Sequence, residues 1–140
     1  MATPRLYVET TIPSYLTARP SKDLRLAANQ QTTREWWDTR RHEYDLFISE
    51  VVLDEAADGD PEFTARRLTL LNGIARLQAS EVADALVARL LDEQIIPAVA
   101  APDAAHVAIA AAHSMDFLLT WNCTHIHGIV PVVVEKAVGG

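Results

Sequence analysis

The sequence predicts an α/β fold built on a largely parallel sheet. Three observations carry that expectation. Short β-prone runs alternate with longer helix-prone ones, as they do where each strand is followed by a right-handed helical crossover. Helix-start residues stand directly behind the strands or open the next helix, at Ser49, Asp60-Pro61, Ser80 and Pro102. The length of 140 residues, 49% of them hydrophobic and 22% charged, suits one core and one domain over 1–140.

Taken in order, Arg5-Leu6-Tyr7-Val8-Glu9 reads as the first strand, closed by Thr10-Thr11-Ile12-Pro13, where the proline suits a first helical turn. Residues from about Ser21 to Tyr44 favour helix, with Leu24, Ala27, Ala28, Trp36 and Trp37 forming an imperfect apolar face. Asp45-Leu46-Phe47-Ile48 reads as the second strand, and Ser49 caps a helix after it. Asp60-Pro61-Glu62 opens another helix with a cap, a proline and an acid on the dipole. Ile74 to Leu77 is a weak third strand, followed by a helix from Ser80 to about Gln94. Pro102 starts a very apolar helix that runs to about Ser114. Phe117 to Thr120 is the fourth strand, and Val130 to Val134 a possible fifth.

Acids outnumber bases 19 to 12, for a formal charge of −7, which excludes a polycation that binds nucleic acid by charge alone. One cysteine cannot form an intramolecular disulfide, no run reaches the roughly 20 apolar residues of a membrane span, and Arg5 and Glu9 interrupt any leader-like core. A reduced, cytoplasmic compartment is the expectation. The charge is uneven: six of the twelve bases lie between Arg19 and Arg41, and eight acids with no base lie between Glu43 and Glu62. Solvated helix faces explain such runs; so does a basic strip beside an acidic pocket.

In a parallel α/β sheet, catalytic groups collect at the carboxyl ends of the strands, near the switch in strand order. Glu9 ends the first strand, and Asn122 lies two residues beyond the fourth, so the two face each other if those strands are neighbours. On a helix from Ser49, Glu50, Asp54 and Asp58 share a solvated stripe, whereas Glu55 falls between Val51 and Val52 and either points inward or snorkels at the stripe's edge. Asp103 stands near the start of a helix whose next twelve residues carry no formal charge apart from two histidines. It either caps that helix or, in a buried setting, needs a partner, which His106 one turn on could supply. Gathered carboxylates raise one another's pKa unless a cation is present. Oxygen ligands without a cysteine pair suit Mg2+ or Mn2+. Such a site serves phosphodiester hydrolysis, since a divalent ion polarises the phosphoryl oxygen. Cys123 with His125, or His125 with His127, lacks a third group and makes no site.

These residues also carry a family likeness. Tyr7-Val8-Glu9-Thr10-Thr11-Ile12-Pro13-Ser14-Tyr15-Leu16 resembles the opening strand and turn of PIN-domain proteins, in the branch whose first acid is Glu. Ser49 to Glu55 resembles their second acidic motif, Pro102 to Ala108 the third, and Leu118 to Cys123 the fourth; Trp36-Trp37 also fits. The resemblance covers roughly residues 5 to 127. It implies a Rossmann-like, three-layer PIN fold with a mostly parallel sheet of four to five strands. It implies the Mg2+- or Mn2+-dependent ribonuclease activity of VapC-like toxins in type II toxin–antitoxin pairs. Glu9, Glu55 and Asp103 would bind metal, Thr120 would orient ligands or the scissile phosphate, and Asn122 would take the fourth acidic position. The partners implied are RNA, a cognate antitoxin whose C-terminal segment blocks the pocket, and a second copy of the chain. One of the adjacent indoles Trp36 and Trp37 would line that dimer interface or pack beneath a loop. Two departures stand out. Asn122 offers an oxygen but no charge where many relatives have Asp, and the chain after His125 is short. A PIN-fold binding or regulatory module with attenuated catalysis is the alternative they motivate.

Overall fold

The computed structural model describes residues 2–122. The possible fifth strand, Cys123, His125, His127 and the short C-terminal end lie outside the described residues. Strand β1 (Arg5–Val8) is buried over its last three residues, so its continuous apolar run is that of a strand covered on both faces. A tight connection leads into α1 (Thr11–Thr17), which buries Ile12 and Pro13. Helix α2 (Leu24–Arg40) starts later than its composition suggests, because the Asp23 carboxylate accepts from the Leu26 N–H and sets the cap.

The buried face of α2 is not the one expected. Leu24 is 87% exposed, and the residues turned inward are Gln30, Thr33, Trp36 and Trp37. Both indoles are buried, although neighbours on a helix point about 100° apart. The chain beyond the helix makes this possible. After a single 3-10 turn (Arg41–Glu43), Tyr44 returns to meet Trp36 at 5.8 Å between ring centroids, and the Arg41 guanidinium lies 5.3 Å over the Trp37 ring. Neither indole is therefore offered as a dimer contact.

Strand β2 (Asp45–Ser49) passes directly into α3 (Glu50–Ala56), where Ser49 Oγ accepts from the Val52 N–H. Asp60 caps α4 (Pro61–Leu71), with the proline in its first turn. After β3 (Ala75–Leu77), Ser80 caps α5 (Glu81–Asp92). A 3-10 turn (Ala98–Ala100) feeds α6 (Ala101–Ala112), and β4 (Phe117–Leu119) follows. Short polar caps thus define most helix starts, and the alternation of elements is the one the sequence predicts.

The four strands are parallel in the order β3-β2-β1-β4. The chain moves outward from β1 to β3, then returns past the centre to place β4 on the other side of β1. The switch in strand order therefore falls between β1 and β4, which are hydrogen-bonded neighbours with Tyr7 opposite Leu118. Helix α1 packs on α2 and α4, and α3 on α4, while α5 and α6 pack on each other, giving a three-layer arrangement about the sheet. Leu6, Tyr7, Val8, Ile48, Leu118 and Leu119 form the centre of the core.

Candidate active site

Glu9 follows the last residue of β1 and is 6% exposed, although it carries a carboxylate. Its position is fixed by the sheet: its N–H donates to the Leu119 carbonyl at 3.1 Å, extending the β1–β4 ladder by one rung. Burying a carboxylate is costly unless it is hydrogen-bonded. Two hydroxyls meet that requirement, because Thr11 Oγ1 and Thr120 Oγ1 each donate to Glu9 Oε1 at 2.5 Å. Thr120 stands just past β4, so the two strand ends at the switch point hold each other. Thr120 Oγ1 also accepts from the Asn122 N–H at 2.9 Å, and Thr11 Oγ1 from the Trp121 N–H at 2.9 Å.

Glu55 takes the inward of the two orientations left open by the helix, with 35% of its side chain still exposed: Val52, three residues back, is buried, while Glu50, Asp54 and Asp58 are exposed. Its Oε1 accepts from Thr10 Oγ1 at 2.6 Å and meets His106 Nε2 at 2.6 Å. Burial works to raise the Glu55 carboxyl, but the hydrogen bonds from His106 and Thr10, together with the charge of His106, outweigh it. The carboxyl is held below its ordinary value. His106 is itself buried on α6 and places Nδ1 2.6 Å from the Tyr7 hydroxyl, which also meets Ser49 Oγ at 2.7 Å. Burial, outweighing the Ser49 hydrogen bond and reinforced by the charges of Glu9 and Glu55, pushes the Tyr7 phenol far up and keeps it protonated.

Ligand atoms of Glu9, Glu55 and His106 lie within 4.8 Å of one another. Every hydrogen bond that the described residues make to the two carboxylates falls on Oε1. The described residues make no hydrogen bond to either Oε2 atom. Among the described residues no Lys or Arg pairs with either acid. Two close carboxylates, each anchored by one oxygen with no hydrogen bond on the other, and with no Lys or Arg among the described residues to offset them, are a donor set that fits a hard divalent cation.

Asp103 stands outside this tight group. It occupies the third residue of α6 and accepts a hydrogen bond from Asn122 Nδ2 at 2.6 Å. Asp103 is partly buried in the first turn of α6, where both readings of the sequence place it, and Asn122 is a partner it meets there. His106 does not donate to Asp103, since both of its ring nitrogens are taken by Tyr7 and Glu55. Glu9 and Asn122 share no hydrogen bond with each other among the described residues. Thr120 fills the place opposite Glu9, and the Asn122 amide turns to α6.

The sequence matches no protein-family profile and no curated protein. Its three-dimensional arrangement does find a counterpart. The solved structure of FitAB bound to an IR36 DNA fragment aligns over 86% of this chain and 87% of that one, with a TM-score of 0.54 and 19% sequence identity.

The fold is PIN-like.

In this PIN-like frame the strand ends are where reactive groups gather, and four residues there escaped notice in the sequence. Thr10 and Thr11 read as an ordinary turn, and Ser49 as a helix cap. Tyr7 reads as one more apolar residue of a strand. Their common signal is a hydroxyl next to an acid or at a strand's end, which is too frequent in any sequence to single them out.

Proposed function

We propose that the chain is a Mg2+- or Mn2+-dependent endoribonuclease acting as the toxin of a type II toxin–antitoxin pair. The observation that carries this reading is the convergence of Glu9 and Glu55, each held by Oε1 with no hydrogen bond on Oε2 from the described residues, at the switch point of the sheet. Glu9 and Glu55 would hold the cation, with Asp103 and Asn122 completing the pocket from α6 and the β4 end. When bound, such an ion polarises a phosphoryl oxygen and offsets the charge of the acids. The chain's own residues do the positioning. Thr11 and Thr120 hold Glu9, Thr10 and His106 hold Glu55, and the Thr120 hydroxyl stands where a phosphate or its ligands could be oriented. In this reading, the antitoxin would insert a basic side chain into the same acidic pocket, and a small reading frame beside this one would encode it.

The test is cleavage of single-stranded RNA by purified protein with millimolar Mn2+. Cleavage that is lost on chelation and lost in Glu9→Gln supports the reading. Absence of both cleavage and Mn2+-induced thermal stabilisation overturns it.

A second reading, an attenuated RNA- or protein-binding module, is favoured by the Asn122 amide. It donates to Asp103 where a carboxylate would add negative charge. A large gain of cleavage in Asn122→Asp would support attenuation. Unchanged cleavage there, with Asp103→Ala inactive, would support the full enzyme.

A further inference from the structure

A buried line of hydrogen bonds begins and ends on α3. The Val52 N–H reaches Ser49 Oγ at 3.5 Å, and Ser49 Oγ lies 2.7 Å from the Tyr7 hydroxyl. That hydroxyl is 2.6 Å from His106 Nδ1, and His106 Nε2 closes on Glu55 Oε1 at 2.6 Å. Ser49 comes from β2, Tyr7 from β1, His106 from α6 and Glu55 from α3. Ser49, Tyr7 and His106 are each no more than 2% exposed, so no water competes for these donors and acceptors.

The protons along this line can be placed by inventory. An ionised Glu55 only accepts, and its Oε1 already receives the Thr10 hydroxyl. A bare Nε2 would set its lone pair against that carboxylate at 2.6 Å, so Nε2 carries the proton. In the neutral ring Nδ1 is then bare and accepts from Tyr7, whose oxygen accepts from Ser49. In the doubly protonated ring Nδ1–H donates to Tyr7 and the two hydroxyls turn round. Nε2 keeps its proton in both arrangements. A histidine that binds a metal must present a bare nitrogen, and both nitrogens here are spoken for.

We propose that His106 is a positioning residue and not a ligand. Its Nε2–H, oriented through Tyr7 and Ser49, fixes Glu55 Oε1 and so leaves Oε2 directed at the cation. The hydrogen bonds on both ring nitrogens fix the imidazole with its plane tilted 60° to the Tyr7 ring, centroids 5.6 Å apart. The consequence for metal binding rests on the function proposed above; the hydrogen-bond assignment does not.

The experiment is a long-range proton–nitrogen spectrum of the full-length protein with isotope-labelled imidazoles, the His106 ring being assigned through bonds from its backbone. Spectra are recorded without metal and with Mg2+ added to saturation. The expected result is a protonated, slowly exchanging Nε2 that persists when Mg2+ binds. A bare Nε2 in the metal-free protein, or loss of its proton on Mg2+ addition, overturns the proposal. In parallel, Tyr7→Phe removes the Nδ1 partner and keeps the ring. The Mn2+ dissociation constant should then rise about tenfold to a hundredfold, the range usual for outer partners of metal ligands. A Tyr7→Phe protein that melts lower but binds Mn2+ as tightly as wild type would make His106 a core residue and overturn the positioning role. Should wild-type protein bind neither ion, the metal-dependent reading falls, and the metal-free spectrum alone decides whether His106 donates to Glu55.

Discussion

The two carboxylates differ in how they are held, and that difference is measurable. Glu9 rests on two hydroxyls, whereas Glu55 rests on a hydroxyl and an imidazole. The Glu55 carboxyl lies below its ordinary value of 4.5, so it adds stability at pH above that value. The contribution disappears as pH falls through the lowered folded-state value. In metal-free buffer, acidification below 4.5 should therefore cost wild type more melting temperature than Glu55→Gln. Equal losses in the two proteins would contradict the assignment. The legibility of these residues follows from the same chemistry. Glu9 and Glu55 could be read from the sequence because a lone acid at the end of an apolar run, or on the apolar side of a helix, violates a local pattern. The sequence also singles out His106, but as a partner for Asp103; its pairing with Glu55 could not be read, because it depends on Tyr7, 99 positions away in sequence, and on which ring nitrogen each partner takes.

At the level of elements, helix starts are where local sequence was most informative. Ser49, Asp60 and Ser80 each accept a backbone N–H at the start of their helix, an interaction settled within three residues. Two of these caps make a useful comparison. Asp60→Ala should cost about 1 kcal/mol, the usual worth of a cap, and leave Mn2+ affinity unchanged. Ser49→Ala should cost a similar roughly 1–2 kcal/mol and also weaken Mn2+ binding, because Ser49 touches Tyr7. Denaturant melts and metal titrations of the two variants check this pair. The buried face of α2 shows the opposite case. Adjacent indoles look incompatible with one core on a helical projection, yet both are buried because Tyr44 and Arg41 fold back over them. No local pattern announces a cover supplied by the next segment.

For the whole molecule, the basic stretch between Arg19 and Arg41 is less available to an RNA than its count suggests. Arg19 pairs with Glu62 and lies over Phe63, Arg40 pairs with Glu43, and Arg41 is spent on Trp37. Among the described residues, Lys22, Arg25 and Arg34 make no ion pair. With single-stranded RNA each phosphate contact contributes a slope of about −0.7, so log affinity against log salt should be no steeper than roughly −2. A much steeper dependence would require a cationic surface elsewhere. The strand order has a consequence during synthesis. Glu9 is made well before one of the two hydroxyls that hold it, since Thr120 lies 111 positions later. The central strand must wait for its last neighbour, since contacts so distant in sequence form late. A nascent chain therefore carries Glu9 and Glu55 without a shaped pocket until Thr120 has left the ribosome, and a cell making this protein meets no assembled site before then.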